Sequence, residues 1–66
     1  MIVILNGGEV ELAGAATLLS LLEGRGISPE VVVAELNGHI VPGSDFGTTA
    51  LNDGDHLEVL RFVGGG

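Results

Sequence analysis

Few groups in this 66-residue chain could do chemistry. His39 and His56, with Asp45, Asp53 and Asp55 near them in the string, have the side-chain types of a divalent-metal site. No pair of them stands at the tight spacing such sites use, and solvated polar residues account for them better. Ser44 and Asp45 with a histidine have the composition of a hydrolase triad. There is no G-x-S-x-G elbow, however, and the chain is too small to build the surrounding scaffold. "GRG" at Gly24 to Gly26 begins like a dinucleotide loop, but Pro29 stands where the third glycine belongs, so it reads as a helix stop. That leaves the closing "RFVGGG". Glycine costs most to order and offers no side chain, so Gly64, Gly65 and Gly66 form a bare run that reaches roughly 10 Å when extended. The structural alternative is a frayed glycine end.

Composition bounds what can position such a run. A chain of this length makes one domain, near the size where a single core just offsets chain entropy. With 45% hydrophobic and 17% charged residues, a packed fold is expected and disorder is not, despite twelve glycines. The absence of Cys excludes disulfides, thiolate metal sites and a thiol nucleophile. A formal net charge of −7 would repel nucleic acid or an anionic membrane, whereas a basic protein partner fits it. "MIVILNGGEV" has no cationic leader and too short an apolar run for a signal peptide or membrane span, so the chain is expected in the cytoplasm.

The elements follow from local pattern. "MIVIL", the turn "NGG" from Asn6 to Gly8, and the alternating "EVEL" read as a β-hairpin. "AATLLSLLEGRG" carries an N-cap at Thr17, Leu18, Leu21 and Leu22 at helical spacing, and stops at Gly24 and Gly26; it predicts one short amphipathic helix. After Pro29, "VVVAEL" reads as a strand, Asn37-Gly38 as a tight turn, and "HIV" as a short return arm stopped by Pro42. "GSDFGTT" is a loop or a single helical turn, "LNDGD" a turn around Asp53 and Gly54, and "HLEVLRFV" the last strand. The expected order is ββαββ with short extras, giving an α+β fold in which a four- to five-stranded mixed sheet packs on one helix.

One helix covers one face of such a sheet and leaves the other open. Period two separates Leu57 and Val59 from Glu58, Leu60 and Phe62, and separates Val3 and Leu5 from Ile2 and Ile4. If Leu57, Val59, Val3 and Leu5 meet Leu18, Leu21 and Leu22 in the core, then Ile2, Ile4, Leu60 and Phe62 face water. Either loops cover them, or they form a contact surface.

The ββα opening, the central "VVVAELNGHIVP", the turn and strand "LNDGDHLEVLRFV" and the terminal "VGGG" together resemble, along the whole chain, the ubiquitin-like β-grasp sulfur carriers, most closely the ThiS family of thiamin biosynthesis. The small subunit of molybdopterin synthase shares the fold and the Gly-Gly end but has a longer chain and a different approach to the tail.

The resemblance implies a β-grasp domain over residues 1–63 and a flexible glycine tail over 64–66. It also implies a protein co-substrate and not an enzyme. An α-carboxyl titrates at about 3.3 to 3.7, is ionised at neutral pH and offers only poor leaving groups. The family's solution is adenylation by an ATP-using ThiF-type sulfurtransferase, then sulfur delivery from a persulfide. Gly66 would then bear a thiocarboxylate, with Gly64 and Gly65 as the threaded tail, and a thiazole synthase would use the sulfur. Ile2, Ile4, Leu60 and Phe62 would be the partner-docking patch. The chain would be monomeric when free and hold no cofactor or metal, ATP being bound by the partner. Alternatives are a sulfur carrier for a molybdopterin-type or cysteine-type pathway, or a ubiquitin-like binding module that is never activated.

Overall fold

The computed structural model describes residues 1–62. Five strands and one α-helix form a mixed sheet packed on one helix: β1 (Ile2–Leu5), β2 (Gly8–Glu11), α1 (Leu18–Gly24), β3 (Val32–Leu36), β4 (His39–Val41) and β5 (His56–Arg61). The element order is therefore ββαβββ, the expected ββαββ with one further short strand and within the expected four to five strands. Short 3-10 turns occupy Pro29–Val31 and Gly43–Asp45. The first takes Val31 out of the strand that "VVVAEL" predicts, because Pro29 presets the turn.

The sheet order is β2-β1-β5-β3-β4. β5, the last strand in sequence, lies at the centre, parallel to β1 and antiparallel to β3. Both hairpins turn on Asn-Gly. Asn6 and Gly7 have φ of 49° and 83°, and Asn37 and Gly38 have φ of 51° and 86°. Two successive positive φ values match the right-handed twist of the flanking strands, and Asn and Gly tolerate them best.

The core is built from one face of each element. Val3, Val32, Ala34, Leu57 and Val59 from the sheet meet Leu18, Leu21 and Leu22 from α1. The loop between β4 and β5 contributes Phe46 and Leu51, both buried. That loop also satisfies amides that the start of a helix leaves without partners. Leu18 N–H donates to the Thr49 carbonyl and Leu19 N–H to that of Phe46. Thr17 caps the helix as expected, its hydroxyl accepting from Ser20 N–H while Ser20 Oγ accepts from Thr17 N–H. Among the described residues no helix is long and apolar enough to cross a membrane.

Candidate functional site

The site is the open face of the sheet together with the end of β5. Alternation along β5 buries Leu57 and Val59 and exposes His56, Glu58 and Leu60. In the register of the sheet, Ile4 lies beside His56, Glu35 beside Glu58, Val33 beside Leu60, and Ile40 beside Glu35. Neighbours in register share a face, so all of these residues are on the side away from α1.

The four residues expected to form a docking patch do not fall together. Leu60 and Phe62 lie at the tail end of β5, exposed by 70% and 58%. Ile2 and Ile4 lie at the other end, on β1. Ile4 stands beside His56, four residues before Leu60 and so about 13 Å from it along the strand. His56 and Glu58 intervene. The apolar neighbours of Leu60 are Val33 and Ile40, which with Glu35 and Glu58 line an open cleft of about 490 Å³. Ile40 is 68% exposed, and Val31, whose carbonyl accepts from Phe62 N–H, is exposed as well.

Pattern reading missed Val31, Val33 and Ile40. The two-residue turn at Asn37-Gly38 fixes Ile40 opposite Glu35, a signal that was available. That β3 lies against β5 follows from no local pattern.

Electrostatically the face is acidic. Glu9 and Glu11 of β2 stand beside Ile4 and Ile2, and Glu35 and Glu58 border the cleft. The two arginines of the chain are Arg25, which caps α1, and Arg61, the last residue of β5. His39 and His56 are both exposed, and among the described residues no three His, Asp or Glu side chains converge as metal ligands.

The acids of "LNDGD" hold the frame. Asp53 Oδ1 accepts from Ile2 N–H at 2.6 Å. Asp55 is buried, with Oδ1 accepting from Asn37 Nδ2 at 3.0 Å and Oδ2 from Asn52 N–H at 2.7 Å.

The two turn asparagines clamp β5 from both sides. Asn37 Oδ1 accepts from His56 N–H, and Asn6 bonds Val59 twice, Oδ1 accepting from its N–H at 2.8 Å and Nδ2 donating to its carbonyl at 3.2 Å. Asn6 thus stands in for the next residue of β1, prolonging the β1–β5 ladder after the backbone has turned away. Asn6→Gly keeps the positive φ but strips both bonds. The expected result is a loss of about 1 to 3 kcal/mol in urea unfolding, since Val59 loses both partners. An unchanged midpoint would show that the clamp contributes nothing.

Gly64, Gly65 and Gly66 lie outside the described residues. The structure brings the chain as far as Phe62, at the end of the central strand.

Comparison with known proteins gives the site a context. The crystal structure of the thiamine biosynthesis protein ThiS from Geobacter metallireducens superposes with a TM-score of 0.85 at 33% identity, covering 100% of both chains. The sheet-and-helix arrangement is accordingly the ubiquitin-like β-grasp fold. A thiazole synthase of Paramagnetospirillum magneticum is 39% identical over 66 residues, 100% of this chain and 20% of the relative. One from Magnetococcus marinus is 39% identical over 62 residues, 94% of this chain and 19% of the relative. The chain thus spans about a fifth of the length of these curated relatives. The model of the ThiS family matches residues 3–66, nearly the whole sequence, and the chain belongs to that family.

Proposed function

We propose that this protein is a sulfur carrier for thiamin thiazole synthesis, a co-substrate whose reacting group is the carboxyl of Gly66. The single observation that carries the reading is the family match through residue 66, which takes in all three glycines. The whole-chain likeness to ThiS of G. metallireducens supports it.

The chemistry required is replacement of one carboxylate oxygen by sulfur. A carboxylate oxygen attacks the α-phosphorus of ATP held by a ThiF-type adenylating sulfurtransferase, and pyrophosphate leaves. The acyl carbon then carries AMP, a good leaving group, which the terminal sulfur of a persulfide displaces to give an acyl disulfide. A thiol attacks the other sulfur, forming a disulfide and releasing the thiocarboxylate. The domain, residues 1–63, docks; the tail, residues 64–66, enters the partner's site. Ordering the glycines costs about 1 to 2 kcal/mol each, which favours release after transfer. A thiazole synthase is the proposed acceptor, since two relatives of that name carry a similar segment within a longer chain.

The test is intact-protein mass after incubation with the adenylating enzyme, ATP, a cysteine desulfurase and cysteine. A gain equal to sulfur replacing oxygen is expected. An unchanged mass, with the enzyme demonstrably active on another carrier, would leave a ubiquitin-like binding module.

The docking surface is proposed to be the open face. Ile2, Ile4, Leu60 and Phe62 contribute from its two ends, and the cleft formed by Val33, Ile40 and Leu60 gives the deepest contact. Leu60→Asp places a third carboxylate beside Glu35 and Glu58 on an exposed position. Binding to the adenylating enzyme, measured by calorimetry, is expected to weaken by about thirtyfold or more, the scale of a lost interface anchor. The melting temperature should stay within a few degrees. Undiminished affinity would remove this end of the face from the interface.

A further inference from the structure

We propose that the edge of β5 at Arg61 is a strand-addition site, at which an extended segment of a partner protein continues the sheet in the lane that β1 vacates. This rests on the carrier reading for the identity of the partner but on separate observations for the site.

The first observation is hydrogen-bond direction. Asn37 N–H donates to the His56 carbonyl and Phe62 N–H to that of Val31. These two bonded pairs fix the alternation of the antiparallel ladder, so Val33–Leu60 and Glu35–Glu58 are bonded pairs and Val32–Arg61 is not. The odd-numbered residues of β5 therefore aim their N–H and C=O groups at β1. Asn6 N–H bonds the Leu57 carbonyl, and the Asn6 side chain takes both groups of Val59. The next pair in line is Arg61 N–H and C=O. β1 has already turned away at Asn6, and among the described residues nothing meets them. An unpaired strand edge recruits an added strand.

The second observation is a cleft of about 230 Å³ beside this edge, on the helix side, lined by Leu5, Asn6, Ile27, Val32, Val59 and Arg61. It sits where a side chain of an added strand would project. The third is charge. Arg61 is exposed and is one of two basic residues in a chain of net charge −7.

The occupant these features fit is an extended protein segment with an apolar side chain for the cleft and a carboxylate for the guanidinium. Both project to the helix side, so they stand two residues apart in the added strand. Strand addition here would grip the chain a few residues before the tail and aim the glycines along the new strand.

Amide hydrogen exchange at Arg61 and Phe62 tests this, using the full chain alone, with the adenylating enzyme, and with the thiazole synthase. In the free protein Arg61 N–H should exchange fast and Phe62 N–H, already bonded to Val31, slowly. In complex with at least one of the two enzymes, Arg61 exchange is expected to slow by about tenfold or more, as a new backbone bond forms. Arg61→Pro removes the guanidinium together with a backbone N–H that no described residue meets, and should keep the core amides protected while weakening that complex by about tenfold or more. Arg61→Ala reads the guanidinium alone and should weaken it less.

Arg61 N–H exchanging as fast in both complexes as in the free chain would overturn strand addition. The carrier reading would still stand if sulfur is gained in the mass assay. A protected Arg61 with no sulfur gain would uphold the edge as a docking site and sink the carrier reading instead.

Discussion

Replacing Gly65 with Trp is expected to leave the unfolding transition unchanged and to cut thiocarboxylate formation by roughly a hundredfold or more, the scale of a misplaced reacting group. The first half follows from position. Gly65 lies beyond β5, and the buried core uses Val3, Leu18, Leu21, Leu22, Val32, Ala34, Phe46, Leu51, Leu57 and Val59. The second half follows from the proposed chemistry. A carboxyl that must be adenylated inside another protein has to arrive through a channel, and three residues reach only about 10 Å even when extended. An indole one residue from the reacting carbon fills that channel. The measurement is a single-turnover mass assay with excess adenylating enzyme, alongside a thermal melt. Normal conversion of the Trp variant would refute threading; a lowered melting temperature would show that residue 65 packs on the domain. Gly65→Ala, with one methyl group, separates width from backbone freedom, and a modest loss is expected there.

Phe46→Ala is expected to remove about 3 to 5 kcal/mol of stability, a third or more of what this domain has. Phe46 is 2% exposed and is the largest of the fully buried side chains. It comes from the loop between β4 and β5, yet its carbonyl accepts from Leu19 N–H, so it joins loop, helix and core at one point. Truncating a buried Phe to Ala costs about 3 to 5 kcal/mol. A domain of this size has roughly 3 to 10 kcal/mol to lose, at 0.05 to 0.15 kcal/mol per residue. Urea denaturation followed by far-UV circular dichroism measures the loss, and a destabilisation below about 1 kcal/mol would show that the site collapses around the cavity. Sulfur transfer should fall with the folded fraction, because Phe46 lies on the helix side of the sheet and away from the proposed docking face.

Much of this fold is legible in the residue string because its signals are local. Two Asn-Gly pairs dictate positive φ at successive positions and so place both hairpins. Thr17 and the Leu18, Leu21, Leu22 spacing start α1 and aim one face inward. Period two in β1 and β5 sorts Val3, Leu57 and Val59 to the core and Ile2, Ile4, Glu58 and Leu60 to the open side, as the burial pattern has it. The resemblance to the ThiS family needs no coordinates either, since the segments that carry it, "VVVAELNGHIVP", "LNDGDHLEVLRFV" and "VGGG", stand in the residue string itself.

Strand order is a different matter. Nothing within "HLEVLRFV" says that it will insert between β1 and β3, because a central strand is chosen by long-range pairing energy and by the helix crossing over one face. That insertion separates Ile2 and Ile4 from Leu60 and Phe62, brings Val33 and Ile40 to Leu60, and leaves Arg61 with an open edge after Asn6 closes the lane of β1. Sequence alone settled the elements, their faces and the family; only the packed sheet decided which exposed residues are neighbours, since neighbours across strands are set by register and order, which no single segment encodes.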